Sequence, residues 1–295
     1  LSCSIFFKSH FTNKLSISYL FLIFFDNSLP SSSFISKNAT FDFWEANCST
    51  ILSPIPEAPP VISTTGGASG IGESIVEQFA SQKSKVAFLD INDELGNELS
   101  KKIKNKYDID SLFVKCDLKN IEQLKSSLEK VKKEIGPISI LVNNAANDER
   151  HDLDSVTPEY WDDRMNINLR HYFFATQAVY KDMKDLGKGS IVNIGSFSWM
   201  ISQGGMAGYT TAKSAIMGLT RTLARDLGVY NIRVNCIVPG WIITDRQKKL
   251  WLTPEIEKTQ LERQCIKRML MPEDISKPVL FFASDQSSGC TAQNY

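Results

Sequence analysis

Tyr209 and Lys213 stand four residues apart in Tyr-Thr-Thr-Ala-Lys, and Ser196 lies thirteen residues before the tyrosine. Four residues is about one helical turn, so both side chains leave one face of a helix. A tyrosine titrates near ~10 and is a weak base at neutral pH. An ammonium one turn away favours the phenolate and lowers that value. A serine hydroxyl beside the phenol can hold a substrate oxygen while a proton moves. The three residue types together suit proton transfer to or from a carbinol oxygen. The competing reading is a solvated helix-surface pair. Ser196 and a glycine-rich turn upstream weigh against it.

That turn is Thr65-Gly66-Gly67-Ala68-Ser69-Gly70-Ile71-Gly72, after an apolar run and before a helical one. Its glycines permit a tight turn and let a pyrophosphate approach backbone N–H groups at a helix N-terminus. Gly66, Ser69, Gly70, Ile71 and Gly72 are the candidate cradle; a plain connecting loop is the alternative. Asp90, followed by Ile91, ends the next apolar run eighteen residues after Gly72. A carboxylate there can accept hydrogen bonds from an adenosine ribose and would repel a 2′-phosphate. No arginine stands beside it, which favours NAD over NADP. Asp90 could instead cap the helix that follows. Asp117-Leu118 carries the same ambiguity, between an adenine contact and a helix cap. Asn144-Ala145-Ala146 follows the fourth apolar run, where small side chains leave room for a cofactor or simply form a tight turn.

The elements that must position these residues alternate along the chain. Strands are expected at Val61–Thr64, Lys85–Asp90, Ser111–Lys115, Ile138–Val142, Ser190–Ile194 and Ile232–Ile237. Helical stretches lie near 70–83, 92–106, 119–135, 159–186 and 208–228, with another near 272–284. Such β-α-β-α order predicts an α/β fold: one doubly wound parallel sheet, Rossmann-like, with helices on both faces. Continuous apolar runs such as Val86-Ala87-Phe88-Leu89 suit strands covered on both sides.

In this order and spacing, TGGASGIG, Asp90, NNAA, Ser196, YTTAK and Pro239-Gly240 resemble the short-chain dehydrogenase/reductase family in its single-domain form. The resemblance spans residues 61–295, about four-fifths of the chain. It implies an NAD(P)-dependent oxidoreductase acting on CH–OH groups. By resemblance, Tyr209 is the general acid/base, and Lys213 lowers its pKa and bonds the nicotinamide ribose. Ser196 is the substrate-oxygen anchor. Asn168 holds a water in the proton relay and is preferred over Asn166 because it directly precedes Leu169. Pro239, Gly240, Ile242 and Thr244 resemble the loop that contacts the nicotinamide carboxamide. Family habit adds a cytoplasmic homo-oligomer, a dimer or tetramer.

The substrate pocket should draw on segments after the fourth and fifth strands and after Pro239-Gly240. Asn147, Arg150, Trp199, Gln203 and Trp241 lie there, with Asp148, Glu149 and His151 nearby. Polar groups interleaved with indoles suit a polyhydroxylated ligand, because each buried donor wants a partner. The strings NNAANDERH, GSFSWM, PGWIITDRQ and LWLTPE are similar to the aldose 1-dehydrogenase branch, which implies oxidation of a monosaccharide at C1 to a lactone. Asp148 to His151 could equally form a solvated loop. A 3-oxoacyl-carrier-protein-type reductase is the rival enzyme, and a non-catalytic nucleotide-binding fragment the rival of another class.

Composition narrows the classes further. Thirty-three basic and thirty-three acidic residues balance, so no global field favours nucleic acid or an anionic membrane. Six cysteines without Cys-x-x-Cys spacing read as reduced thiols, and with three histidines no metal site is expected. Residues 1–58 read as an irregular or non-native leader, and Ser53–Pro60 as an extended linker, ahead of a dehydrogenase domain at 59–295. The apolar run Leu15–Phe25 is short of the about 20 residues a membrane span needs, though it superficially matches a signal-peptide core. Three features depart from the family pattern. Pro59-Pro60 leaves a short first strand with Thr64 in it. The chain reaches Tyr295 without the family's closing strand. Pro278 falls inside the last helix.

Overall fold

A computed structural model describes residues 59–295. The leader, the linker and the Leu15–Phe25 run therefore lie outside the described residues, apart from Pro59 and Pro60. Six strands alternate with helices: β1 Val61–Thr65, α1 Gly70–Ser81, β2 Lys85–Asp90, α2 Asp93–Tyr107, β3 Ser111–Lys115, α3 Ile121–Ile135 and β4 Ile140–Asn143. Then come α4 Pro158–Met165, a π-helical turn Asn166–Arg170, α5 His171–Asp185, β5 Gly189–Ile194, α6 Ala207–Leu227 and β6 Ile232–Ile237. Helices α7 Asp245–Leu250, α8 Pro254–Arg263 and α9 Glu273–Ala283 follow.

The strands form one parallel sheet in the order β3-β2-β1-β4-β5-β6. Alternation along each strand feeds two apolar layers. Leu89, Leu141 and Ile191 face one layer with Leu124 and Leu128 of α3 and Val179 of α5. Phe88, Val142 and Val192 face the other with Phe79 of α1, Ile103 of α2 and Val279 of α9. The doubly wound expectation is met. The order reverses between β1 and β4, and a ligand crevice opens outside the carboxyl ends at such a switch point.

The proline before β1 does not spoil it. Pro60 donates nothing, but its carbonyl accepts from Lys85 N at 3.1 Å, so the ladder starts one residue early. All five β1 residues are buried, and the hydroxyls of Ser63 and Thr64 have no hydrogen-bond partner. Pro278 does sit within α9, where its ring removes one helical hydrogen bond. At the other end, residues 292–295 already run beside β6. Tyr295 N donates to Cys236 O at 2.9 Å and Val238 N to Tyr295 O at 2.7 Å. Asn294 forms an isolated parallel bridge with Cys236.

The stretch read as a single helix over 159–186 is three elements. The π turn inserts one residue between α4 and α5, and π turns concentrate at functional sites. Helices α7 and α8 were not foreseen. Neither buries a residue, so neither carries an apolar stripe to read. No helix among the described residues is long and apolar enough to cross a membrane.

Candidate active site

A cleft of about 1670 Å³ opens at the carboxyl ends of the strands. One end is the glycine turn. Gly66 has φ +62°, and a Cβ there would meet Ala145 Cα at 2.7 Å. A Cβ on Gly72 would lie 1.8 Å from Gly66 O, so α1 packs too closely on the turn for any side chain. Thr65 Oγ1 accepts from the backbone of Asn144 and Ala145, at 3.0 and 3.2 Å. Asn144 Nδ2 donates to Thr65 O and Gly66 O, which locks the end of β4 to the turn.

Helix α1 begins at Ser69 with no side-chain cap, whereas Asn92, Asn120, Thr157, Thr244 and Thr253 each cap a helix with a side-chain oxygen. Its first-turn N–H groups are left to face the cleft. An uncapped helix start behind a cradle that a Cβ would fill fits a dinucleotide pyrophosphate. Neither ambiguous aspartate caps its helix, because Asn92 and Asn120 are the caps. Asp90 instead accepts from Ala68 N through Oδ2 and from Asn92 N through Oδ1, both at 3.0 Å. Asp117 accepts from Lys119 N at 3.0 Å. Asp90, Ile91, Asp117 and Leu118 all line the cleft.

The other end holds the proton-transfer residues. Ser196 follows β5, and Tyr209 and Lys213 lie in the first two turns of α6; all three line the cleft. Lys213 is 1% exposed, and its Nζ donates to Ile194 O at 2.7 Å and to Tyr172 Oη at 2.9 Å. Its Nζ lies 5.7 Å from the centroid of the Tyr209 ring. Burial pushes the Lys213 ammonium down to about 7. Burial also pushes the half-buried Tyr209 phenol up to about 12; the Ser196 hydroxyl works against this and the Asp148 carboxylate adds to it. The sequence expectation was a lowered tyrosine. Desolvation dominates here, since burial disfavours the charged form of both groups at once. The Ser196 hydroxyl donates to Ser198 Oγ at 3.0 Å.

Asn168 sits on the π turn, fully buried and outside the cleft lining. Its side chain pairs with the backbone of Asn147. Asn147, Arg150, Gln203 and Trp241 line the cleft, as do Ala145, Ala146, Pro239, Gly240, Ile242 and Thr244. Trp199 does not. Hydrogen bonds from Met200 N to Phe197 O and Gln203 N to Ser198 O fold the loop so that its indole nitrogen is buried, and Phe197, Ser198 and Ile201 take the lining instead. The sequence also missed how α7 is fixed. Asp148 accepts from Arg246 Nε at 3.0 Å and Gln247 Nε2 at 2.9 Å, and Gln247 Oε1 accepts from the Trp241 indole at 2.6 Å. Arg150 stacks on Trp251 at 3.9 Å. The Asp-Arg-Gln pairing spans about a hundred residues, so no local pattern announces it.

Residues 66–295 match the family model described as Enoyl-(Acyl carrier protein) reductase. The chain belongs to the short-chain dehydrogenase/reductase family. It is an oxidoreductase of that family. It is 45% identical over 232 residues to a protein named probable galactose dehydrogenase from Rhizobium meliloti (strain 1021), covering 79% of this chain and 91% of that one. It is 47% identical over 231 residues to a D-xylose 1-dehydrogenase of Caulobacter vibrioides (strain NA1000 / CB15N), covering 78% and 91%. A short-chain type dehydrogenase/reductase from Mycobacterium ulcerans shares the fold, with a TM-score of 0.76 at 22% identity over 80% of this chain and 87% of that one.

Proposed function

We propose that this oxidoreductase removes hydrogen from C1 of an aldose, giving a lactone, with NAD as the acceptor. One observation carries the reading: Ser196, Tyr209 and Lys213 converge on a cleft whose far end is the uncapped start of α1 beside Asp90. Oxidised nicotinamide, when bound, would supply the hydride acceptor. The chain's own residues move the proton. Ser196 Oγ holds the sugar O1 through a hydrogen bond. Tyr209 Oη takes the O1 proton as its general base. The Lys213 ammonium favours the phenolate and directs a remaining N–H toward the cofactor ribose. Asn168 acts through the Asn147 backbone it holds.

The cofactor's phosphates would rest on Gly66, Ser69, Gly70, Ile71 and Gly72. Asp90, Ile91, Asp117 and Leu118 would hold its adenosine, and Asn144, Ala145, Ala146, Pro239, Gly240, Ile242 and Thr244 its nicotinamide. NAD is favoured because the Asp90 carboxylate would repel a 2′-phosphate. The sugar is placed against Asn147, Arg150, Gln203 and Trp241, where polar groups meet an indole face. The sugar names of the two curated relatives support this choice. A homo-oligomer is part of the proposal and is read by light scattering.

A panel of aldoses with NAD and with NADP tests the reading. NADH formation with at least one free sugar, and a lactone product, is the expected result. No turnover of any sugar, with turnover of a β-ketoacyl thioester by NAD(P)H, would replace it by the rival 3-oxoacyl-carrier-protein-type reductase.

A further inference from the structure

Tyr172 is fully buried, in the first turn of α5. Its hydroxyl accepts from Lys213 Nζ at 2.9 Å and donates to Ile194 O at 2.9 Å. Lys213 Nζ donates to the same carbonyl at 2.7 Å, which closes a triangle of three hydrogen bonds. An ammonium has three donors, so two are committed and one is left. The charge sits between two phenols, 5.2 Å from the Tyr172 ring centroid and 5.7 Å from that of Tyr209. The π turn explains how Tyr172 reaches it. One added residue before His171 rotates the start of α5, so Asn168 and Tyr172, four apart, both point inward and are both 0% exposed.

We infer that Tyr172 is a positioning residue for the reaction: its hydroxyl anchors the Lys213 ammonium against β5 and fixes how that charge acts on Tyr209. The inference rests on the roles proposed above for Tyr209 and Lys213. Among the described residues, Tyr172 is the side chain that hydrogen-bonds this charge. On α5, burial pushes His171 down to about 3, so it faces Lys213 uncharged. On β6, burial pushes the Cys236 thiol up to about 11, and its sulfur is the group whose charge favours the ammonium. From β4 and β5 come only the amides of Asn143 and Asn193, which bond each other. The α3 cations face other parts of α5, Lys125 over Phe174 and Lys132 on Ala178 O. On α6 stands Tyr209 itself, and Asp148 acts on that phenol from the loop after β4. Without the phenolic oxygen a buried ammonium keeps a single acceptor, and its charged form becomes harder to hold.

Tyr172→Phe and Tyr172→Gln in the full-length enzyme test this, with any alcohol the enzyme turns over. The Phe variant should lose about tenfold in kcat near neutral pH, with substrate KM within about twofold. Its rising limb of kcat/KM against pH should move about one unit to the alkaline side, a tenfold change per unit. Gln restores an acceptor, and its limb should lie near the wild-type position. A Phe variant with an unmoved limb, or a Gln variant with a displaced one, would overturn the inference. The Gln result decides alone if the Phe variant does not fold. Lys213→Met with wild-type turnover would instead overturn the roles of Tyr209 and Lys213 themselves.

Discussion

Asn147 and Asn168 hold each other by two hydrogen bonds: Asn147 N donates to Asn168 Oδ1 at 2.8 Å, and Asn168 Nδ2 donates to Asn147 O at 3.1 Å. A side chain on the π turn thereby fixes the backbone of the loop that lines the end of the cleft proposed for the substrate. Asn168→Leu keeps the volume and removes both bonds. Leaving two part-buried backbone groups unpaired costs up to about 1–3 kcal/mol each. Kinetics and a thermal melt should show a lower Tm, a fall in kcat and a rise in sugar KM. An unchanged KM would mean the pair does not shape the substrate end.

His171 gives stability a pH dependence with a definite sign. It is buried, both ring nitrogens lack partners, and burial followed by the Lys213 charge pushes it down to about 3 from an unfolded value of 6.5. The unfolded chain therefore binds the extra proton between those values. Stability from this group is complete above 6.5 and drains as pH falls toward 3, with a slope of up to about 1.4 kcal/mol per pH unit. Melts of His171→Gln between neutral and mildly acidic pH should show a flatter decline than wild type. Parallel curves would contradict this.

Asp90 should govern the choice of dinucleotide. Among the described residues it has no cationic partner, and it lies where the adenosine ribose is proposed to rest. Asp90→Ser removes the charge and keeps an acceptor. The ratio of kcat/KM for NAD over that for NADP should fall at least about tenfold, as expected when like-charge repulsion is lifted. A ratio unmoved by the substitution would place the ribose elsewhere.

Gly72→Ala tests the phosphate cradle without touching the proton-transfer residues. The added methyl would stand 1.8 Å from Gly66 O, so α1 or the turn must shift. The rise in Tm on adding NAD, a direct reading of binding to the folded state, should be lost. A retained rise would show that the dinucleotide does not use this turn.

Much of this was readable from residue order. Lys85–Asp90, Ser111–Lys115 and Ile232–Ile237 were placed end to end, because a doubly covered parallel strand is a continuous apolar run bounded by polar residues. Gly66 to Gly72 and the Tyr209–Lys213 pair are local patterns, so they too were visible. The π turn was not, because Asn-Ile-Asn-Leu-Arg continues a helical composition with no breaker in it. Trp199 was misplaced because a loop's direction is set by its own backbone hydrogen bonds, not by residue type. The part played by Tyr172 was hidden for a related reason: an apolar helix face with one tyrosine reads as core until Lys213 Nζ is found 2.9 Å from its hydroxyl. Thr253-Pro254 did carry a helix-start signal, a capping threonine before a proline, and α8 could have been placed from it.

The central claim is that Tyr209 removes the C1 hydroxyl proton of an aldose while NAD is reduced. The most direct measurement is the rate of sugar-dependent NADH formation by wild type and by Tyr209→Phe, followed from neutral to alkaline pH. The account predicts that the wild-type rate climbs with pH as the phenol ionises, and that the Phe variant is about 10²–10⁴-fold slower and has lost the climb. A Phe variant that keeps the wild-type rate and the same pH dependence would contradict it.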